Sequence, residues 1–288
     1  MPTTRFAPSP TGPLHLGHAY AALFAYQAAD GGQFLLRIED LDAARARASF
    51  VAQIEEDLSW LGLSWPHPAL RQSSRTAAYR AALAHLAERE LTYPCFCTRR
   101  EISQEIERAG QAPHGVGEAA RYPGTCRRLS SSERERRRAA GEPFALRLDV
   151  TRGLAQSGAL QFEERGAGPA GEHGLLAADP AQLGDIVLAR KGLPAAYHLA
   201  VVLDDAYQGV TLVTRAADLF SATHVQRLLQ ALLDLPTLPY AHHRVITDEQ
   251  GRKLSKRDQP ATLRSLRERG VSAATLRREL GFELAAGR

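Results

Sequence analysis

The N-terminal part of the chain alternates short extended segments with helical ones, and this alternation restricts the fold more than any other feature. The pattern predicts a strand at residues 4–7, a Pro/Gly turn at 8–13, an Ala-rich helix at 14–29 and a second strand at 34–39. Further predicted helices are 50–61, 75–90 and 218–233, and further predicted strands are 144–150, 185–188 and 210–214. Strands separated by helices favour an α/β fold with a parallel sheet covered on both faces.

The composition is that of an ordinary globular protein. Of the 288 residues, 44% are hydrophobic and 24% are charged, which excludes wholesale disorder. No run approaches the roughly 18 consecutive apolar residues that a membrane-spanning helix needs. The N-terminal segment is broken by prolines and lacks the apolar core of a signal peptide, so we expect a cytoplasmic protein.

Two histidines lie where the first predicted strand turns into the first helix, in the sequence His15-Leu16-Gly17-His18. Helix N-termini present unpaired N–H groups and bind phosphates readily. Imidazoles three residues apart lie on one helical face and can reach the same anion, and Gly17 allows a flat ligand to approach the backbone. The alternative is a pair of ordinary polar histidines at a helix start.

A second candidate phosphate site lies near the C-terminus, in Gly251-Arg252-Lys253-Leu254-Ser255-Lys256. Only three of the 36 Lys and Arg residues are lysines, so the chain fills its ordinary basic positions with arginine. Two ammonium groups and a hydroxyl in one loop suit a triphosphate and its developing charge. A solvated basic loop is the alternative interpretation, and the arginine bias argues against it.

The HLGH and KLSKR sequences together, at opposite ends of the chain, resemble the paired signature of class I aminoacyl-tRNA synthetases. The resemblance implies a Rossmann nucleotide-binding fold, formation of an aminoacyl adenylate, and ATP with Mg²⁺ as a substrate. It assigns catalysis to His15, His18 and Lys256. The ATP-binding residues that it implies are His15, Gly17, His18, Lys253, Ser255 and Lys256.

The segments Arg5-Phe6-Ala7-Pro8-Ser9 and Arg37-Ile38-Glu39-Asp40 resemble the glutamyl branch of that family. Glutamate carries two carboxylates and one ammonium, and guanidinium groups pair with carboxylates in a bidentate manner. The implied glutamate-binding residues are Arg5, Phe6, Ala7, Pro8, Ser9, Glu39, Tyr197 and Arg215. The sequence departs from the family after Arg215, where Ala216-Ala217 replaces the frequent glycine, and which arginine holds which carboxylate stays open.

The three cysteines of the chain, Cys95, Cys97 and Cys126, are too few for a disulfide framework. Three thiolates in an intracellular chain favour a structural metal site, and sulfur-rich four-coordinate sites favour Zn²⁺. A fourth ligand is needed. Ligand chemistry favours His114, whereas the resemblance favours Tyr122, because Tyr122-x₃-Cys126 is similar to an element of the glutamyl-queuosine branch of the family.

These motifs divide the predicted chain into four parts. Residues 1–92 and 144–240 are expected to form the two halves of the catalytic domain, separated by a zinc-binding module at 93–143. Residues 241–288 are expected to hold the lysine loop and a short helical segment, with helices near 260–269 and 272–279 and no anticodon-binding domain.

The resemblance to the truncated glutamyl-queuosine branch implies three partners: L-glutamate, ATP and the anticodon stem-loop of tRNA(Asp) carrying queuosine. We expect a monomer without membrane contact. Arginines at 127–128 and 134–138 are candidate phosphate contacts or, equally, a solvated helix face. The alternative functions are a minimal enzyme that charges the acceptor end of tRNA with glutamate, and a catalytically silent tRNA-binding paralogue.

Overall fold

A computed structural model describes residues 1–98, 100–102, 122–247 and 261–283. The helices are α1 (Leu16–Ala28), α2 (Ala48–Trp60), α3 (Thr76–Glu88), α4 (Ser131–Ala139), α5 (Val150–Ser157), α6 (Tyr197–Tyr207), α7 (Phe220–Leu232), α8 (Leu263–Glu268) and α9 (Ala273–Glu279). The strands are β1 (Thr3–Phe6), β2 (Gln33–Ile38), β3 (Leu70–Arg71), β4 (Thr92–Cys95), β5 (Ala145–Leu148), β6 (Gln161–Glu164), β7 (Gly174–Ala177), β8 (Val187–Ala189), β9 (Val213–Ala216) and β10 (Tyr240–His243).

The structure contains two groups of parallel strands. Strands β1, β2 and β3 pair in parallel in that order. Strands β9, β10 and β6 are also parallel, and β7 pairs antiparallel with β6. The carbonyl of Thr3 accepts hydrogen bonds from the backbone N–H groups of Thr211 and Leu212, so β1 lies beside β9. The carboxyl ends of β1, β9 and β10 therefore meet at one edge, where ligands bind in open α/β sheets.

Helix α1 covers the junction of these strands because its inward face is made of small apolar residues. Ala19, Ala22 and Leu23 are fully buried, and the Thr4 hydroxyl donates to the carbonyl of Ala25 at 2.7 Å. Small side chains allow the helix to approach β1 and β9 closely. The first turn of α1 is consequently held against the edge where these strands end.

The prediction that the strands at 144–150 and 185–188 belong to the parallel sheet was wrong. β5 and β8 form a separate, antiparallel sheet with β4, in the order β4-β5-β8. Parallel and antiparallel pairing are both compatible with short apolar runs, so the pattern alone does not distinguish them. Pairing of Cys95 with Ala145 in this sheet connects the cysteine segment directly to the chain that follows it.

The two short C-terminal helices were predicted correctly, and they pack onto the N-terminal half. Leu263, Leu276 and Phe282 are buried in the same apolar cluster as α1 and α2. The backbone N–H of Leu263 donates to the carbonyl of Leu14 at 2.9 Å, and Thr262 forms an isolated bridge with His15. The chain that follows the predicted lysine loop thus returns to the start of α1.

Helix α6 is anchored to α3 through a buried aspartate. Asp204 is fully buried and accepts hydrogen bonds from the Tyr79 hydroxyl at 2.7 Å, Gln72 Nε2 at 3.0 Å and Arg75 Nε at 3.1 Å. A buried carboxylate needs such partners, because its desolvation is otherwise costly. None of the helices in the described ranges is long and apolar enough to cross a membrane.

We expect Tyr79→Phe to lower the free energy of unfolding by about 1.5–3 kcal/mol, because it removes a buried hydrogen bond to a charged group. Tyr207→Phe is the matched control: Tyr207 lies in the same α6 region but is 63% exposed, and its loss of a hydroxyl is expected to cost less than about 0.5 kcal/mol. Urea unfolding of both variants measures the difference. Equal effects would contradict the anchoring role of Asp204.

Candidate active site

A cavity of about 490 Å³ lies at the edge where β1, β9 and β10 end. Most of the residues predicted to bind glutamate or phosphate line it. Its lining includes Arg5, Phe6, Ala7, His15, Gly17, His18, Glu39, Tyr197 and Arg215. Residues from positions 5 to 215 therefore meet in one place, and they join the HLGH motif to the predicted glutamate-binding residues.

The two histidines of the first motif cap helix α1 through each other. His15 Nδ1 accepts from the backbone N–H of Gly17 at 3.1 Å, and His18 Nδ1 accepts from the backbone N–H of His15 at 3.2 Å. A nitrogen that accepts a hydrogen bond carries no proton, so in the neutral rings the proton lies on Nε2. Both imidazoles are thereby fixed as Nε2–H donors at a helix N-terminus, with ring centroids 3.8 Å apart.

Gly17 leaves space for this arrangement. A Cβ at position 17 would lie 3.0 Å from His15 Cε1 and 3.2 Å from His15 Nδ1, closer than ordinary packing allows. The motif predicts that Gly17 allows a ligand to approach the backbone. The structure adds a second reason for the glycine, which is that it makes room for the imidazole that caps the helix.

Arg5 belongs to a buried network of four charged groups. Asp205 accepts from Arg5 Nε at 2.9 Å and from Arg37 Nη1 at 2.6 Å, while Arg37 Nη2 lies 3.5 Å from Glu39 Oε1. Burial raises the pKa of the Asp205 carboxyl, but attraction to Arg5 and Arg37 outweighs it and the net shift is downward. Asp205 is therefore ionised and binds both guanidinium groups, of which that of Arg5 belongs to a residue that lines the cavity.

Glu39 directly follows β2 and its backbone N–H donates to the carbonyl of Pro8 at 3.0 Å. Burial raises the pKa of its carboxyl, with Arg37 and Arg5 acting in the opposite direction. A cationic group placed in the cavity would favour the ionised form of Glu39. This is the behaviour expected of a carboxylate that receives a substrate ammonium.

Arg215 is held by a different set of partners. Its Nε donates to His242 Nε2 at 3.1 Å, its Nη1 to Gln226 Oε1 at 2.6 Å and its Nη2 to Thr223 Oγ1 at 2.5 Å. All three acceptors are uncharged when His242 is neutral. Burial lowers the pKa of His242, with the Glu164 hydrogen bond opposing it, and the net shift is downward.

Tyr197, the first residue of α6, also lines a second cavity of about 660 Å³. The further lining of that cavity includes Arg147, Asp185, Lys191 and His198. Burial lowers the pKa of His198 to about 4, so this imidazole is neutral at physiological pH. One tyrosine thus forms part of the wall of both cavities.

The three cysteines form a compact cluster with Tyr122. Their sulfur atoms all lie within 4.8 Å of one another. The Tyr122 hydroxyl oxygen lies 3.5 Å from Cys95 Sγ and 3.6 Å from Cys97 Sγ, and it accepts from the backbone N–H of Cys126 at 2.8 Å. Three sulfurs and one oxygen around a common centre fit the donor set of a four-coordinate metal. A hydrogen bond from Cys95 lowers the pKa of the Cys126 thiol to about 6.

Some predicted residues lie elsewhere. Pro8 and Ser9 are not among the described lining residues, and the Ser9 side chain is exposed. Lys253, Ser255, Lys256 and His114 lie outside the described residues. The chain on either side of the lysine segment is at the cavity, because Val245 and Ile246 line it and Thr262 pairs with His15.

The arginine-rich segment is largely engaged within the protein. The guanidinium groups of Arg134, Arg137 and Arg138 lie over the rings of Tyr93, Phe96 and Phe144, respectively. Arg136 and Glu133 form an exposed ion pair on the same helix. These contacts join α4 to the cysteine cluster, so the interpretation of residues 134–138 as a purely solvated face was incomplete.

Sequence reasoning missed several cavity residues, notably His243 and Thr214. His243 ends β10, and its ring centroid lies 5.0 Å from Phe24 and 5.1 Å from Tyr20. The sequence does show two adjacent histidines, His242 and His243, shortly after Pro239-Tyr240. The pair was not interpretable without the strand, which the pattern did not predict.

Residues 2–282 match the family described as "tRNA synthetases class I (E and Q), catalytic domain". The chain belongs to this family, and the expected class of fold is confirmed.

Individual proteins are similar to this chain in sequence or in structure. The chain is 47% identical to a glutamyl-Q tRNA(Asp) synthetase of Rhodobacter capsulatus, over 97% of this chain and 99% of the relative. It is 39% identical to the glutamate–tRNA ligase of Aquifex aeolicus, over 95% of this chain and 55% of the ligase. The crystal structure of glutamate-tRNA synthetase from Elizabethkingia anophelis superposes with a TM-score of 0.72 at 28% identity. That match covers 89% of this chain and 52% of the synthetase chain, so the chain spans about half the length of this structural neighbour.

We expect Gly17→Ala to slow amino-acid-dependent ATP–pyrophosphate exchange at least tenfold, since a displaced transition-state donor typically costs ~10²–10³ in rate. The midpoint of thermal unfolding should change little, because the better helix propensity of alanine offsets the loss of the His15 cap. His15→Ala is expected to produce a similar loss, and combining the two substitutions should add little. Full exchange activity in Gly17→Ala would refute the requirement for a fixed His15 ring.

Proposed function

We propose that the protein activates L-glutamate with ATP as glutamyl adenylate and transfers it to queuosine at the wobble position of tRNA(Asp). One observation carries the proposal: a single cavity joins the paired imidazoles of the phosphate motif to two arginines and a glutamate suited to an acidic amino acid. Family membership and the similarity to glutamyl-Q tRNA(Asp) synthetases support the same reaction.

In this proposal, glutamate binds by charge complementarity. Arg5 and Arg215 face its two carboxylates, Glu39 receives its ammonium, and Tyr197 closes the side of the cavity. Phe6 and Ala7 supply the adjoining wall, while Pro8 and Ser9 contribute through the turn that holds Glu39. Paired guanidinium and carboxylate groups in a desolvated site favour a charged ligand over a neutral one.

Activation follows from the position of the imidazole donors. A glutamate carboxylate oxygen attacks the α-phosphorus of ATP, the bond to the bridging oxygen breaks, and pyrophosphate leaves. His15 and His18 donate Nε2–H groups to the phosphate oxygens, and the backbone beside Gly17 accommodates the nucleotide. Lys253, Ser255 and Lys256 are proposed to complete the phosphate site, because the chain flanking them lies at the cavity. Mg²⁺ bound with ATP neutralises charge on the leaving pyrophosphate.

The second cavity supplies a place for the acceptor nucleoside. It shares Tyr197 with the first cavity, and it offers charged and polar side chains from Arg147, Asp185 and Lys191. A hydroxyl of the queuosine ring placed beside Tyr197 would attack the carbonyl carbon of the adenylate, and AMP would leave. The cationic side chains suit the anionic stem-loop that carries this nucleoside.

We also propose that Cys95, Cys97, Tyr122 and Cys126 hold one structural Zn²⁺. Their donor atoms surround a common centre, and Cys97 and Tyr122 line the second cavity rather than the first. When bound, the ion would supply a rigid cross-link between β4 and the segment around Cys126. The cluster residues would then shape the wall that faces the acceptor.

A monomer in the cytoplasm fits this role. Among the described residues, the exposed large hydrophobic side chains are Met1, Leu175 and Tyr207, which lie on separate elements. Such single exposed residues do not form the contiguous patch that a stable oligomer usually buries.

Mapping the labelled product tests the acceptor. Aspartate tRNA with and without queuosine is incubated with ATP and radiolabelled glutamate, digested with nuclease and analysed by mass spectrometry. We expect label on the modified wobble nucleoside only, and only in the queuosine-containing tRNA. Label on the terminal adenosine would instead favour acceptor-end charging, and absence of glutamate-dependent pyrophosphate exchange with or without tRNA would favour a silent paralogue.

Elemental analysis tests the metal proposal. We expect about one Zn²⁺ per chain, since four donors form one tetrahedral site. Tyr122→Phe should weaken Zn²⁺ retention against a chelator, whereas His114→Ala should not. Removal of the metal should reduce transfer to tRNA more than pyrophosphate exchange, because the cluster borders the second cavity. Metal-free protein from a fresh preparation, or stronger metal loss in His114→Ala, would contradict the assignment.

A further inference from the structure

Three neighbouring parallel strands place Glu164, His242 and Arg215 in a row, and Arg215 lines the first cavity. Their order is β6, β10 and β9, and His242 is the register partner of Arg215. Along β6 exposed and buried residues alternate, so Glu163 points outward and Glu164 inward. The side chains of Glu164 and His242 are both fully buried.

Both oxygens of the Glu164 carboxylate have hydrogen-bond partners. Oε1 accepts from the backbone N–H groups of His242 at 2.9 Å and Gly166 at 2.8 Å, while Oε2 lies 2.5 Å from His242 Nδ1. Burial opposes ionisation of Glu164, but the hydrogen bonds from His242 outweigh it and lower the pKa of the carboxyl. An ionised Glu164 requires the His242 proton on Nδ1.

That proton position determines how Arg215 is held. With Nδ1 protonated, Nε2 of the neutral ring has a lone pair and accepts from Arg215 Nε at 3.1 Å. Gln226 and Thr223 accept one hydrogen bond from Nη1 and Nη2, respectively. Each terminal nitrogen of Arg215 therefore has one more N–H, and the side chain lines the cavity.

The two arginines of the cavity consequently differ in the charge of the groups to which they are hydrogen-bonded. Arg5 is paired directly with the carboxylate of Asp205. Arg215 meets three neutral acceptors, and the nearest carboxylate of its row, Glu164, is separated from it by the His242 ring. Within the described part of the chain, Arg215 is thus oriented without direct contact to a carboxylate, which favours interaction with an anionic ligand.

We infer that Glu164 and His242 are positioning residues that orient Arg215 toward the side-chain carboxylate of the amino acid and so set the preference for glutamate over glutamine. The inference rests on the proposed function, because it assumes that an acidic amino acid occupies this cavity. Neither residue touches the reacting atoms. Their effect is exerted through one guanidinium group.

Glu164→Gln provides a selective test. The two backbone N–H groups at Oε1 require an oxygen there, so the new amide NH₂ would face His242 Nδ1. His242 would then carry its proton on Nε2, where it opposes the Arg215 Nε–H donor. We expect the ratio of kcat/KM for glutamate to that for glutamine in pyrophosphate exchange to fall about tenfold or more, as for loss of a hydrogen bond to a charged group.

Glu163→Gln is the matched control, because it removes the same charge one residue away on the exposed side of β6. It should leave the glutamate-to-glutamine ratio unchanged, and neither variant should change the KM for ATP. Equal ratios in Glu164→Gln and Glu163→Gln would overturn the inference. If the unmodified protein shows no preference for glutamate, the proposed function itself fails, which is a distinguishable result.

A second pair of variants keeps the test decisive if Glu164→Gln folds poorly. His242→Gln preserves one acceptor and one donor at this position, whereas His242→Phe removes both and retains a ring beside Phe220 and Tyr240. We expect His242→Gln to retain more of the glutamate preference than His242→Phe. Indistinguishable ratios in the two variants would count against a role of His242 in orienting Arg215.

Discussion

The buried carboxylate of Asp205 is the interaction on which the architecture of the site depends. It lies on α6, yet it binds Arg5 on β1 and Arg37 on β2, and Arg37 in turn lies beside Glu39. Three elements that are distant in sequence are therefore fixed around one negative charge. Removing one partner from such a buried ion-pair network leaves an uncompensated buried charge, which is strongly destabilising. The cost of disruption keeps the floor of the cavity in one geometry.

The same type of side chain is used in two ways around this cavity. Arg5 forms an ion pair with a carboxylate, whereas the described partners of Arg215 are neutral acceptors, one of which, His242, is hydrogen-bonded to the Glu164 carboxylate. A guanidinium group has five N–H donors, so three internal hydrogen bonds still leave two for a ligand. The orientation of a guanidinium group and the availability of its charge to a ligand are thus separate properties of the site. The protein partners of each arginine, more than its exposure, determine how strongly it attracts a carboxylate.

The first and second cavities share a wall at Tyr197, and in the proposed reaction this arrangement places two chemical steps side by side. The imidazoles of His15 and His18 line the first cavity, which is the proposed site of activation, and Cys97 and Tyr122 of the cysteine cluster line the second, which is the proposed acceptor site. A group activated in the first cavity is therefore next to the space where an acceptor can bind. Proximity of this kind removes much of the entropic cost of a second encounter.

Local sequence determined the elements whose signals are local. The β1–turn–α1–β2 unit, the two C-terminal helices and the grouping of the cysteines could be predicted from apolar spacing, turn residues and ligand type. The signature residues His15, Gly17, His18 and Glu39 could also be placed, because each follows directly from the strand or turn that precedes it. Physical chemistry within a few residues of each position is sufficient for such predictions.

Tertiary structure alone decided the rest. The antiparallel pairing of β4, β5 and β8 depends on strand partners far apart in the chain, and short apolar runs do not specify them. Asp205 and the row formed by Glu164, His242 and Arg215 have no local signal, because a buried charge is identified only by the partners that compensate it. Those partners come from separate strands and helices, so their meeting is a property of the folded chain and not of any segment of its sequence.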